Sequence, residues 1–291
     1  MATLREVRTR ITSVQKTQKI TRAMKMVAAA KLRRAQTRVV AARPYARKIK
    51  ELLEHVLAVT EEITSDLATP REVRTIALVV VTSDRGFCGA FNSNLIRAAQ
   101  DWVASPPAGE KVKLICLGKK GLDYFVKRKY TVSGRYVGVY GSLNFARAQA
   151  IADEIISGYR RGDFDRVDVI YNEFKSIAQQ RIVREQFLPV TPTKEKPQPY
   201  RIAADYIYEP DRNEILRSLI PRHLNFQVWR TLLESSTAEE GARMAAMENA
   251  TENASEMIAT LELQYNKARQ ATITKELLEI VSGAEALTQA G

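Results

Sequence analysis

The sequence predicts an α/β protein: a long antiparallel coiled coil of N- and C-terminal helices with an α/β domain inserted between them. Three observations carry this reading. Apolar or small residues recur in alternating steps of three and four at Met244, Met247, Thr251, Ala254, Ile258, Leu261, Tyr265, Ala268 and Thr272. That is the heptad seam of a helix lying along another helix. The same steps stand at the other end of the chain, at Leu4, Val7, Ile11 and Val14. Between the two ends, β-branched runs alternate with helical stretches, the pattern of a layered α/β domain. The division expected is a first shaft helix over 1–70, an inserted domain over 71–208 and a second shaft helix over 209–291.

Residues 3 to about 68 read as one helix, roughly 100 Å long at 1.5 Å per residue. After Val14 the strict seam falls on Gln18, Thr21 and Lys25, all polar, while the apolar residues move to Ile20, Met24 and Val27. A stripe that slips in this way gives the helix two faces, one for the partner helix and one for a second partner. Pro44 removes a backbone donor and is expected to bend the helix. The stretch from Asp66 to Pro70 should end it.

Ile76 to Val81 is a continuous β-branched and apolar run, the mark of a strand buried on both faces. The loop T-S-D-R-G-F-C-G-A-F-N follows, then a helix from about Ser93 to Val103. Further strands are expected at Lys111–Leu117, Val167–Glu173 and Gln180–Val190, with helices at Gly121–Arg128 and Leu143–Tyr159. This alternation implies a Rossmann-like domain, a mostly parallel sheet with helices on both faces. A proline-rich loop over 191–200 and the sequence D-Y-I-Y-E-P at 205–210 lead to the last helical region. Asp211 with Glu214 forms a D-x-x-E start signal. Pro221 is expected to interrupt that helix, which then runs from about Leu224 to Leu287 and includes Gly241.

Composition narrows the function. Hydrophobic content of 45% and charged content of 27% fit a soluble protein. No run of about 18 apolar residues offers a transmembrane helix, and the basic start, Arg5 to Arg10, does not resemble a signal peptide. Cys88 and Cys116 make no disulfide framework and suit small buried hydrophobes in a reducing compartment. The net charge of +12 is unevenly placed. Residues 1–50 hold fifteen Lys or Arg against Glu6, and residues 234–291 hold four bases against ten acids. A basic helix beside an acidic one is electrostatically sensible, and the positive excess should meet an acidic partner.

Catalytic chemistry is missing. The loop Ser83–Asn92 follows a strand and precedes a helix, as a phosphate loop does, yet it lacks both G-x-x-x-x-G-K-[ST] and G-x-G-x-x-G. Gly86 and Gly89 read as a tight turn needing glycine geometry. Neither His55 nor His223 has metal-ligand spacing around it, and no nucleophile, base and orienting acid assemble. Glu276 and Glu279, one helical turn apart, match the usual solvated pair. A nucleotide-dependent enzyme is therefore disfavoured. A nucleic-acid-binding coiled coil has the basic first helix in its favour, but no aromatic is interleaved before Tyr45.

Four segments carry a family resemblance. K-I-T-R-A-M-K-M-V-A-A-A-K at Lys19–Lys31, S-D-R-G-F-C-G-A-F-N at Ser83–Asn92, M-E-N-A-T-E-N-A at Met247–Ala254 and I-T-K-E-L-L-E-I-V-S-G-A-E-A at Ile273–Ala286 resemble the gamma subunits of the bacterial F-type ATP synthases. The resemblance covers the whole chain in order; Phe87 stands where the family more often has leucine. It implies a non-catalytic central rotor. The terminal helices would form a left-handed coiled coil inside a hexamer of three alpha and three beta subunits. The α/β domain would sit at the foot, beside the epsilon subunit and on the membrane-embedded c ring. Proton flow would turn ring and shaft together. One copy per complex is implied, with no cofactor, no nucleic acid and no nucleotide bound directly. The implied place is the cytoplasmic face of the bacterial plasma membrane, held peripherally, and no transit peptide or thiol-regulatory insertion is seen. The resemblance places Met24 and Lys25 opposite an acidic loop of the beta subunit. It has Arg269, Gln270 and Thr274 hydrogen-bond a beta-subunit loop, and it makes Arg243, Glu276 and Glu279 further partner contacts.

Overall fold

The computed structural model describes residues 3–60, 62–106, 109–177, 179–191, 208–209 and 211–289. Most of the proline-rich loop and of the 205–210 lead-in lies outside them. The chain divides into two compact units: Met1–Val27 with Met244–Gly291, and Ala28–Arg243. The limits fall inside the two long helices.

The first helix, α1 (Leu4–Val59), starts on a capping box. Thr3 Oγ1 accepts the Glu6 amide at 3.3 Å, and the Glu6 carboxylate accepts the Thr3 amide at 2.9 Å, so two orphan donors of the first turn are satisfied together. The helix stops at Val59, well short of the expected 68. Its last carbonyls are taken by side chains: Arg212 Nη1 donates to Val59 O at 2.8 Å, and Thr60 Oγ1 to Val56 O at 2.7 Å. A turn at Ser65–Thr69 follows, with the amides of Ala68 and Thr69 on Ser65 O. It sinks Leu67 and Ala68 into the core, which a continuing helix would not allow.

The larger unit holds a five-stranded sheet built from β1 (Thr75–Val81), β2 (Lys111–Leu117), β3 (Val132–Tyr136), β4 (Arg166–Phe174) and β5 (Gln180–Leu188), in the order β3-β2-β1-β4-β5. All neighbours run parallel except β4 and β5. The mostly parallel sheet is as expected, but β3 is an addition. Its five residues, V-S-G-R-Y, carry no apolar run. It forms because β2 offers it a free edge, with a register shift at Leu114/Ile115, the kind of bulge that edge strands carry.

Helices α2 (Phe91–Ala104) and α3 (Lys119–Lys127) cover one face of the sheet, where Leu95, Ala99 and Phe125 meet Leu78, Val80, Leu114 and Cys116. The other face takes α4 (Phe145–Arg161), capped by the Asn144 side chain on the Arg147 amide at 2.9 Å. It also takes the end of α1 and the start of α5 (Arg212–Gln289), through Leu53, Val56, Leu216, Ile220 and Leu224. Asp211 Oδ1 accepts the Glu214 amide at 2.9 Å, as the start signal required.

Pro221 does not interrupt α5; the helix passes through it. An interior proline costs about 3 kcal/mol. Here Leu219, Ile220 and Leu224, all buried, flank it, and burying such side chains contributes about 1.5–3 kcal/mol each. Packing on both sides outweighs the missing donor. α1 likewise continues through Pro44.

Candidate functional site: the helical seam and the outward faces of α5

In the unit formed by the two chain ends, the helices run antiparallel. Gln18 Nε2 donates to Ser255 Oγ at 2.7 Å, Thr21 Oγ1 lies 2.8 Å from Thr251 Oγ1, and Lys25 Nζ lies 2.5 Å from Glu248 Oε1. As one number rises the other falls. The polar residues at the strict seam positions therefore stay in the seam and find polar partners there. The apolar slip does not move the interface: Ile20 and Val27 remain 60% and 56% exposed. The second face expected from the slip exists, with Met24 half-buried at its border.

The heptad stripe on α5 is shielded at every position from Met244 to Ala268, and Thr272 is exposed. At the same register Leu4, the first residue of α1, stands level with Ala268, so α1 has no side chain to offer beyond it. From there α5 is exposed continuously to Ser282. Ile273, Leu277 and Ile280, one stripe at helical spacing, are 46%, 58% and 68% exposed. Arg269, Gln270, Thr274, Glu276 and Glu279 are exposed on the same stretch. Thr274 Oγ1 donates to Gln270 O in its own helix, and Glu279 pairs with Lys275 at 3.6 Å. Five of the eight expected contact residues are thus brought together on one exposed helical stretch.

Arg243 is different. Its side chain is only 10% exposed and is wrapped by Glu239 and by Glu240 at 2.8 Å. Its Nη2 also donates to the Gly86 carbonyl at 3.4 Å. Burial alone would lower the guanidinium's pKa, but the two carboxylates outweigh it and hold the charge. Burial in turn raises the Glu239 carboxyl against the pull of Arg243.

The loop after β1 spends its polar groups on itself. Asn92 Oδ1 accepts the Ser83 amide at 3.0 Å, Asn92 Nδ2 donates to Cys88 Sγ at 3.2 Å, and Ser83 Oγ donates to Arg85 O. Asp84 binds the amides of Lys119, Gly138 and Tyr140 at 2.9 to 3.4 Å. The left-handed residues are Phe87 (φ 61°) and Gly89 (φ 55°), not Gly86. Phe87 is 72% exposed. Among the described residues no group of His, Cys, Asp and Glu could hold a metal ion, and no helix is long and apolar enough to cross a membrane. Both cysteines are buried free thiols, Cys116 pushed up to about 12 by burial.

Sequence reasoning missed the internal partners of this surface. The polar seam pairs were visible only as a gap in an apolar pattern. Gly241, inside α5, was the trace of a close approach that only the structure identifies.

A family model described as ATP synthase matches residues 3–287. The ATP synthase gamma chain of Chloroherpeton thalassium is 49% identical, over 99% of both chains. That of Chlorobaculum tepidum is 48% identical, over 99% of this chain and 100% of its own. Among solved structures, a chain of the central stalk and c ring of the Tetrahymena thermophila mitochondrial ATP synthase superposes with a TM-score of 0.60 at 26% identity, covering 79% of this chain and 99% of that one. A chain of the Euglena gracilis mitochondrial ATP synthase shares the fold, with a TM-score of 0.69 at 22% identity over 98% of this chain and 94% of its own.

Proposed function

This chain belongs to the ATP synthase gamma chain family, and from that premise we propose that it is the non-catalytic rotor of its complex, carrying the rotation of a membrane ring to catalytic sites held by other subunits. The observation that supports this reading best is the exposed length of α5. Past Ala268 no described residue covers the helix, yet it carries an apolar stripe at Ile273, Leu277 and Ile280. Exposed apolar stripes of this kind mark surfaces covered by another protein. The occupant proposed is a sleeve of three alpha and three beta subunits. Arg269, Gln270 and Thr274 would hydrogen-bond a beta-subunit loop, and Glu276 and Glu279 would line the same contact. Met24, Lys25 and the exposed Ile20 and Val27 would face the acidic beta-subunit loop. The α/β domain would stand on the c ring beside the epsilon subunit. The complex would be driven by protons, and the chain held peripherally at the cytoplasmic face of the bacterial membrane.

Co-purification tests the reading. The tagged chain should bring down alpha and beta subunits at one copy to three of each. Replacing Leu277 and Ile280 together by serine should leave the melting of the chain unchanged, because both side chains are already in solvent, and should lower assembly. Normal assembly and ATP synthesis in that variant would remove the sleeve contact.

A further inference from the structure

In an open parallel sheet the strand order reverses at one point. Outside the carboxyl ends of the two strands flanking that point lies the crevice where such folds take their ligands. In the order β3-β2-β1-β4-β5 that point lies between β1 and β4. The crevice here is filled by the chain's own helix. Cys88, from the loop after β1, and Phe91, the first residue of α2, pack with Ala238 and Ala242 of α5 and with Phe174 at the end of β4. Gly241 turns its bare Cα toward Phe174; a Cβ there would stand 3.1 Å from the phenyl ring. The segment is held on either side as well. Tyr140 Oη, in the turn after β3, donates to Ser235 Oγ at 3.2 Å, and Arg243 donates to Gly86 O. Small residues at 238, 241 and 242 let α5 lie close across the strand ends, and the hydrogen bonds at 235 and 243 fix it along its length.

We propose that the ligand crevice of this α/β fold has become a mechanical grip on α5, with Phe174 and Gly241 as its positioning residues, through which turning of the sheet is transmitted to the helix. The inference rests on the rotor reading, and it assigns the joint that reading needs. It also accounts for a sheet of nucleotide-binding topology that lacks phosphate-loop glycines. The space a ligand would occupy is taken by a helix backbone, and a ligand would have to displace it.

The test uses the complete complex in membrane vesicles, comparing Gly241→Leu, Gly241→Ala, Phe174→Ala and the double variant Gly241→Leu with Phe174→Ala. ATP hydrolysis and proton pumping are read separately, with the melting temperature of the complex. Gly241→Leu should lower protons pumped per ATP by about fivefold or more while hydrolysis continues, a loss typical of a broken coupling between sites. Gly241→Ala should pump nearly as the wild type, since the ring can yield a few tenths of an ångström. The double variant, in which leucine fills the space the phenyl leaves, should recover pumping. If Gly241→Leu does not assemble, Phe174→Ala carries the test alone, by slackening the joint instead of forcing it. Pumping per ATP at the wild-type ratio in an assembled Gly241→Leu or Phe174→Ala complex would overturn the grip. So would a fall in pumping and hydrolysis together in step with the melting temperature. Failure of the rotor reading would look different: the wild-type complex itself would show no pumping.

Discussion

Lys25 Nζ lies 2.5 Å from Glu248 Oε1, across the seam between the two terminal helices. The pair continues a polar layer that begins with Gln18 and Ser255 and passes through Thr21 and Thr251. In a coiled coil, polar residues at seam positions select one register at some cost in stability. Lys25 is thus spoken for inside its own unit, and its charge reaches any outer partner already softened by Glu248.

The energetic consequence is small. The two side chains are 38% and 42% exposed, and ion pairs in such surroundings are worth about 0–1 kcal/mol. Lys25→Ala should lower coil stability by less than about 1 kcal/mol, an effect that fades with salt. Glu248→Lys should cost more, by placing two cations across the seam, and Lys25→Glu combined with Glu248→Lys should restore the wild-type value. Helix melting followed by circular dichroism at low and high salt reads all four chains. A large loss for Lys25→Ala, unchanged by salt, would mean that the pair is not the screened contact described here.

Gly118, at φ +103°, has no room for a side chain: a Cβ would stand 2.1 Å from the Thr82 carbonyl oxygen. That contact is where the ends of β1 and β2 are tied, with the Thr82 amide on Leu117 O at 2.8 Å and the Gly121 amide on Thr82 Oγ1 at 2.9 Å. Gly118→Ala should therefore cost more than about 3 kcal/mol, from strain and a clash together. Gly138 also has a positive φ, +69°, but faces open space. Gly138→Ala should cost only the left-handed penalty of about 1–2 kcal/mol. Urea unfolding followed by the fluorescence of Trp102 and Trp229 separates the two. Equal losses would contradict the steric account.

His223 should make the larger unit sensitive to acid. Burial, helped by Arg230 and Lys50, pushes its imidazole from 6.5 down to about 4, against the opposite pull of Glu185 and Glu54. Among the described residues its Nδ1 has no hydrogen-bond partner. The unfolded chain takes up this proton near pH 6.5, and the folded chain refuses it until about pH 4. The stability tied to this group is therefore complete above the unfolded value and is lost as pH falls through that window, by up to about 3 kcal/mol. His223→Gln removes the titration, so its stability should fall less than the wild type's between pH 7 and pH 4 (roughly the same window). Parallel curves for the two chains would show that His223 does not titrate as described.

Much of this protein was legible without its structure, because the deciding signals were local. Ile76–Val81 and Lys111–Leu117 stood out as strands because a strand buried on both faces must be apolar along its whole length. The α5 stripe from Met244 to Ala268 stood out because a helix facing one partner must repeat every three or four residues. The Asp211–Glu214 cap needs only four consecutive residues. What the tertiary structure decided was of another kind. β3 exists because β2 has a free edge, not because V-S-G-R-Y favours a strand. α5 passes Pro221 because Ile220 and Leu224 are buried beside it, and α1 stops at Val59 because Arg212, far along the chain, takes its last carbonyl. The register of the polar seam, the inward turn of Arg243 and the closing of the switch-point crevice by Gly241 all join residues distant in sequence. Each is a choice between alternatives of similar local energy, and only the packing of the whole chain separates them.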